Sequence, residues 1–165
     1  MTSSLHHHWS LCLPLTLALT AAFVPPSALA TQNGVTDAGV AYVSGGVSED
    51  ERTQMRSERR NYSYWLSAAA RGGGAYLADD KVRITEAGGG KVVLDVKMDG
   101  PWLFVALPQG RYAVQATYAD EHSGKTETQH ANPQIGVGGQ DLQPAVLYFS
   151  ADDALGEPKT GTPKR

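Results

Sequence analysis

The chain has 165 residues, with 14 Lys or Arg and 17 Asp or Glu side chains and a formal net charge of −3. This balance lacks the basic excess of a nucleic-acid-binding surface and argues against nucleic acid as a partner. Eighteen Gly, nine Pro and a hydrophobic content of 41% predict a turn-rich all-β domain that can bury a core.

Residues 1–30 have the pattern of a signal peptide. An apolar run over 10–24 is followed by two prolines and by Ala-Leu-Ala at 28–30, whose small residues suit a signal peptidase. The run is shorter than the ~18 apolar residues that a membrane span needs, and Pro14 interrupts it. We therefore expect cleavage before Thr31, no membrane span in the mature chain, and a periplasmic or secreted location.

Cys12 is the only cysteine, and it lies inside the predicted signal peptide. Leu11 is too large to precede a lipidated cysteine, and most of the apolar run follows Cys12, which argues against a lipoprotein. The mature chain is expected to have no disulfide and no cysteine metal ligand. Without disulfides, the stability of the mature chain must come from its hydrophobic core.

Two segments precede the main predicted domain. Residues 31–47 are rich in Gly, Thr and small side chains, and they predict a flexible N-terminal segment that leads into a brief strand or docking segment at 40–43. Residues 48–60 predict a polar helix, because Ser48 and Glu51 have the spacing of a capping box. This helix either binds a partner or an anionic surface, or lies solvated against the rim of the domain. We favour the solvated interpretation.

Alternating apolar and polar residues predict strands from residue 62 onward. Residues 62–70 form the first strand, with continuation of the helix as the alternative because of three consecutive alanines. A glycine loop then separates two half-buried strands at 81–86 and 91–98. Their inward side chains are expected to be Val82, Ile84, Val92, Leu94, Val96 and Met98.

Turns punctuate the second half of the predicted domain. Gly- and Pro-containing turns at 99–101 and 108–110 bound a strand at 102–107 that is apolar on both faces, as expected of a strand covered on both sides. The next strand, at 111–118, is expected to direct four side chains inward: Tyr112, Val114, Ala116 and Tyr118. The remaining elements are a polar edge strand at 125–129, a loop at 134–139, a last strand at 144–149 and a disordered tail at 151–165.

These elements, about seven strands with turns every 8–12 residues, predict one β-sandwich. We place it over residues 61–150, after the short polar helix. The fold class expected from the sequence is therefore all-β.

The strands also contain a series of short motifs: Gly-Ala-Tyr-Leu-Ala-Asp at 74–79, Val-Arg-Ile at 82–84, Asp-Gly-Pro at 99–101, Leu-Pro-Gln-Gly-Arg-Tyr at 107–112 and Val-Gln-Ala at 114–116. Together they resemble the carboxypeptidase regulatory-like (transthyretin-like, prealbumin-like) β-sandwich family over about residues 66–118. The resemblance is closest to small exported proteobacterial proteins and implies an Ig-like or prealbumin-like fold. Such domains serve as folding aids, spacers and binding modules, so the resemblance indicates fold rather than function. Asp80 departs from the pattern, because the family often has an apolar residue there.

Motifs of common catalytic sites are missing from the sequence. His122 is followed by Ser-Gly-Lys and His130 by Ala-Asn-Pro, so neither begins the His-x-x-Glu pair of a zinc carboxypeptidase. The sequence contains no Gly-x-Ser-x-Gly elbow and no phosphate-binding loop. We therefore predict a protein that is not an enzyme, with no catalytic residues and no cofactor.

A polar cluster on a predicted hairpin turn is one part of a possible ligand surface. It consists of Asp120, Glu121 and His122, with His130 across the strand pair. Carboxylate and imidazole groups could hold a divalent metal there. The alternative, which we favour, is a solvated turn without a metal.

Aromatic side chains are the other part of this possible ligand surface. Trp65 and Trp102, with Tyr62, Tyr64 and Tyr118, either form a stacking surface for a sugar or peptide or belong to the core. We favour the core, because aromatic residues that alternate along a strand are more often buried. Trp65 is the exception to examine, since it shares the face of the serines in its strand.

The sequence leaves three hypotheses of function. The favoured one is a non-catalytic exported β-sandwich module that binds a protein or cell-envelope component through a strand edge or the helix. The alternative is a carbohydrate or small-ligand binding module that uses exposed aromatics, and burial of both Trp65 and Trp102 would remove its surface. The third, a hydrolase of unrecognised type, requires a concave pocket with converging polar groups.

Overall fold

A computed structural model describes residues 31–121, 123–137 and 143–151. These residues form ten strands, one α-helix and one turn of 3-10 helix at Arg59–Asn61. In chain order the elements are β1 (Gln32–Val35), β2 (Ala41–Gly45), α1 (Glu49–Glu58), β3 (Tyr64–Ala70), β4 (Lys81–Glu86), β5 (Val92–Lys97), β6 (Trp102–Val105), β7 (Gly110–Ala119), β8 (Thr126–Ala131), β9 (Gln134–Ile135) and β10 (Gln143–Phe149).

The strands form two sheets that face each other. The first sheet has the order β1-β2-β6-β3-β10, and β10 lies parallel to β3 while the other neighbours are antiparallel. The second has the order β5-β4-β7-β8, with β9 paired to the start of β7. The predicted all-β sandwich with a short helix is confirmed, and β8 is the edge strand expected at 125–129.

The first two strands correct the interpretation of residues 31–47 as a flexible segment and confirm the brief strand expected at 40–43. β2 pairs with β6 from Tyr42 to Gly45, and β1 extends the sheet by one further strand. Val43 and Ser44 are buried. The short apolar piece around Val43 therefore completes the first sheet, and the sandwich includes residues well before position 61.

Alternation along β3, β4 and β7 produces the main core as predicted. Val82, Ile84 and Ala116 have no exposed surface, and Tyr118 is packed against the same core. β6 is covered on both faces, because Leu103 and Val105 join this core while Trp102 and Phe104 join a second cluster on the outer face of the first sheet.

A β-bulge corrects the expected orientation of β5. Ile84 lies opposite Leu94, but Thr85 lies opposite Val92, so Val93 is an extra residue in β5. Val93 is buried in consequence, and Val92 is 39% exposed rather than inward. The predicted burial of Leu94 and Met98 is confirmed, and Val96 is partly buried.

The Asp-Gly-Pro turn docks against the end of β2. A Cβ atom at Gly100 would overlap the backbone carbonyl of Gly45, so this close approach requires glycine. The backbone amide of Asp99 donates to Ser44 Oγ at 2.9 Å. The turn therefore fixes the start of β6 beneath the segment that leads into α1.

α1 begins with the predicted capping box. Ser48 Oγ accepts from the amide of Glu51 at 3.2 Å, and Glu51 Oε2 accepts from the amides of Ser48 at 3.3 Å and Val47 at 2.7 Å. Arg52 Nη1 donates to the carbonyl of Gly46 at 2.9 Å. Met55 is the buried apolar side chain of the helix, so α1 is held on the first sheet by one hydrophobic anchor and by polar contacts at its start.

Several predictions lie outside the described residues. They are the signal peptide at 1–30, the side chain of His122, part of the loop at 134–139 and the tail beyond residue 151. Within that loop, Gln134 and Ile135 pair with the start of β7.

Candidate binding surfaces

The tryptophans of the possible ligand surface lie in a cluster beneath α1. Trp102 is 2% exposed and Trp65 is half-buried, with their ring centroids 5.1 Å apart in an edge arrangement. The Arg56 guanidinium lies 5.2 Å from the centroid of the Trp102 ring and covers it. Trp102 therefore presents no free face for a sugar, and Trp65 presents only part of one.

This cluster also contains two buried N–H donors. Among the described residues, neither Trp65 Nε1 nor Trp102 Nε1 has a hydrogen-bond partner. A buried donor without an acceptor costs about 1–3 kcal/mol. The aromatic contacts, including Trp65 with Phe104 at 5.4 Å, must offset that cost.

In the predicted polar cluster at 120–122, Asp120 is buried and its carboxylate stabilises the turn. Asp120 is 5% exposed, and its carboxylate accepts from Ser123 Oγ at 2.6 Å. Glu121 is exposed. His130 pairs with Gln115 four positions along β8 from the turn, a distance of roughly 13 Å in a strand, so it does not join the cluster. The described residues contain no group of three His, Cys, Asp or Glu side chains placed to hold a metal.

Asp80 is a buried acid that lies outside the predicted ligand surface. Its side chain has no exposed surface, and within the described residues neither carboxylate oxygen has a hydrogen-bond partner. Burial, with a smaller contribution from the Asp79 carboxylate, raises the pKa of Asp80 to about 7. Asp79 itself has φ 68° and forms an ion pair with Lys97 at 2.7 Å. The alternation of β4 could have predicted this burial, because Asp80 lies two residues before Val82 and therefore shares the face that meets the core.

The two long sides of the sandwich differ. On one side β10 packs beside β8, where Glu127 Oε2 accepts from the amide of Ser150 at 2.6 Å and Glu127 lies 3.5 Å from Arg71. On the other side the edge strands are β1 and β5. Val35 and Val92, which are 70% and 39% exposed, belong to these two strands.

A trench occupies this second side, which we call the open side. It has two adjoining cavities of about 390 Å³ and about 430 Å³, and both are lined by Ala38 and Val93. The first cavity is lined by residues 35–38, Tyr42 and residues 92–96. The second is lined by Ala38, Val40, Glu86, Ala87, Gly89, Lys91, Val93 and residues 108–112. We call the two cavities together the open-side trench.

Hydrogen bonds hold the walls of the trench. Thr36 forms two hydrogen bonds with Val40. The Thr36 N–H donates to the Val40 carbonyl at 2.9 Å, and the Thr36 Oγ accepts from the Val40 N–H at 3.2 Å. Tyr112 Oη donates to the carbonyl of Pro108 at 2.9 Å. These segments are distant in sequence, and only their packing brings them together. No single motif in the chain could have indicated the trench.

None of the helical segments in the described part of the chain has the length and hydropathy that a bilayer crossing requires. Comparison with protein-family models, with curated proteins and with solved structures gave no match to this chain.

Proposed function

We propose that this chain is an exported, non-catalytic β-sandwich module that binds a protein or cell-envelope component by accepting an extended segment in the open-side trench. The observation that carries the proposal is the position of the trench along β5, which is an edge strand of the second sheet within the part of the chain that the structure describes. An edge strand offers a row of backbone N–H and C=O groups to an added strand, and neighbouring pockets can select side chains. The pattern of residues 1–30 supports export.

β5 is better suited to this role than β1. β5 has six residues and β1 has four, so β5 provides the longer edge. Val92 lies at its start and is partly exposed. The bulge at Val93 and the exposed charges of Lys91 and Lys97 would disfavour indiscriminate edge pairing. A segment that binds here must match the bulge and those charges.

The relation to the carboxypeptidase regulatory-like family is part of the same proposal. The motif series at 74–79, 99–101 and 107–112 supports it, together with the two-sheet architecture. A module of that kind contributes binding or positioning rather than a chemical step.

Site-specific photo-cross-linking in the cells that express the full chain tests this function. A cross-linker at Val92 should join one partner, through residues that form a continuous extended segment. A cross-linker at Val146 is the matched control, because this valine is 47% exposed on β10, away from the trench. Adducts of the same identity and yield from positions 92 and 146 would overturn the proposal.

A second candidate, a carbohydrate-binding surface, is favoured by two exposed tyrosines. Tyr76 and Tyr148 are 55% and 49% exposed, and both pair with Ala69 from opposite sides. Two strand spacings place their backbones roughly 10 Å apart on either side of this small residue. Sugar rings stack on exposed aromatic faces of this kind.

Calorimetric titration with envelope oligosaccharides tests the second candidate. Binding by the natural chain should be lost in Tyr76→Ala and Tyr148→Ala and kept in Val92→Ala. Equal binding by the natural chain and both tyrosine variants would remove this candidate.

A further inference from the structure

The charges of the open-side trench are unevenly distributed between its two cavities. In the first cavity Asp95 lies 3.7 Å from Lys81 and 3.4 Å from Arg83, so its charge is compensated by two cations. In the second cavity Lys91 and Arg111 are both exposed. Within the described residues neither forms an ion pair.

The backbone brings these two cations to the same end of the second sheet. The amide of Glu86 donates to the carbonyl of Lys91 at 2.9 Å, and the amide of Ala87 donates to the carbonyl of Arg111 at 2.8 Å. The end of β4 therefore lies between the two basic residues. Glu86 supplies one negative charge against two positive ones, so this end of the trench has a local excess of positive charge.

The first cavity combines apolar side chains with three polar ones, Thr36, Asp37 and Asp95. Asp37 is exposed, so the negative charge of the lining lies toward this cavity and the positive charge toward the other. Tyr42 and Val96 are partly buried against the main core, while Val92 and Val35 at the edges are exposed. An extended segment that alternates apolar and polar residues could place its apolar side chains here, since successive side chains of a strand point to opposite faces.

From this arrangement we infer that the partner segment carries a carboxylate, from Asp or Glu, which binds between Lys91 and Arg111 while its alternating apolar side chains fill the trench beside β5. This inference rests on the proposed function. It adds the chemistry of the partner: an acidic residue at one end of an extended apolar stretch. Arg111 can bind a carboxylate through two parallel hydrogen bonds, and Lys91 adds a second charge.

Synthetic peptides of about eight residues, which at ~3.4 Å per residue exceed the length of β5, test the inference with the full chain. Val and Thr alternate in each peptide, both ends are blocked, and one terminal residue is Glu, Gln or Lys. Because the direction of binding is open, each charged residue is placed at either end in separate peptides. Binding is measured by fluorescence anisotropy of a labelled peptide.

The Glu peptide should bind about fivefold more tightly than the Gln peptide, the size expected of solvent-exposed ion pairs, and the Lys peptide should bind least. Lys91→Gln with Arg111→Gln should abolish this preference, so that the Glu and Gln peptides bind equally. Lys97→Gln is the matched control, because Lys97 lies at the other end of β5 and pairs with Asp79; it should keep the preference.

Each other outcome refutes a different statement. Equal binding of the three peptides would overturn the assignment of a carboxylate and leave the trench as a binding site. Failure of every peptide to bind would overturn the proposed extended segment itself. Self-association of the chain that Val92→Lys abolishes would assign the trench to a second copy of the chain and overturn the inferred partner.

Discussion

The buried carboxyl of Asp80 should make the stability of this domain decrease as the pH rises. Its pKa is about 7 in the folded chain, against an ordinary value of 3.8. Below pH 3.8 the folded and unfolded states both hold the proton, so the group has no net effect. Between pH 3.8 and 7 the unfolded state releases the proton first, and the free energy of unfolding falls. Above pH 7 the loss is complete.

The difference between these two values sets the size of the effect. At 1.36 kcal/mol per pH unit, a pKa raised from 3.8 to about 7 corresponds to a loss of about 4 kcal/mol. This is a large fraction of the 5–15 kcal/mol that stabilises a typical domain. Asp80→Asn removes the titration while keeping the size of the side chain. The variant should match the natural chain near pH 4 and exceed it above pH 7.

Urea denaturation followed by tryptophan fluorescence at pH 4, 5.5, 7 and 8.5 measures this difference. Other titrating groups are shared by both chains, so the difference between them isolates Asp80. Asp79→Asn is the matched control, because it removes the ion pair with Lys97 and only the smaller contribution to the pKa of Asp80, while Asn tolerates its positive φ. It should retain most of the pH dependence, which comes from burial of Asp80. A difference between the natural chain and Asp80→Asn that is constant with pH would refute the reasoning.

Three further substitutions, with Ser57→Ala as the control for the third, test the packing around α1 by urea denaturation. Gly100→Ala should destabilise the chain by about 1–3 kcal/mol, because its Cβ overlaps the carbonyl of Gly45; unchanged stability would show that the turn does not touch β2. Met55→Ala should lower the free energy of unfolding by about 2–5 kcal/mol and shift the tryptophan emission to longer wavelength, because it removes the side chain that packs the helix on Trp102. An unshifted spectrum would contradict this packing. Ser48→Ala should cost about 1 kcal/mol, whereas Ser57→Ala, at an exposed helical serine, should cost almost nothing. Equal losses at the two serines would refute the capping role.

Local patterns in the sequence were sufficient for much of the fold. Alternation identified β4 and β7, because one residue in two meets a continuous core there. The capping box identified the start of α1, because Ser48 and Glu51 act over only three positions. The double apolar face of β6 correctly indicated cover on both sides, although the sequence did not show that α1 supplies one of these covers.

Features that depend on pairing between distant segments could not be predicted in this way. The exposure of Val92 follows from one extra residue in β5, and nothing in the sequence of β5 identifies that residue. β1 has no clear alternation, because its four residues include a glycine, and it is stabilised by pairing with β2. For β2 the sequence indicated only a brief strand or docking segment at 40–43, and its partners β1 and β6 were not predictable. The open-side trench likewise arises where three separated segments meet, so its lining residues show no common pattern along the chain.

The parallel pairing of β10 with β3 has a consequence for biogenesis. β3 acquires this neighbour from the far end of the described chain, and Phe149 then fills a position with no exposed surface. A nascent chain that has made every earlier strand still lacks one edge of its first sheet and part of its core. The domain therefore completes its first sheet and its core only after β10 has been synthesised, and products that end before β10, with an open edge and a missing aromatic ring, should be readily recognised by proteases.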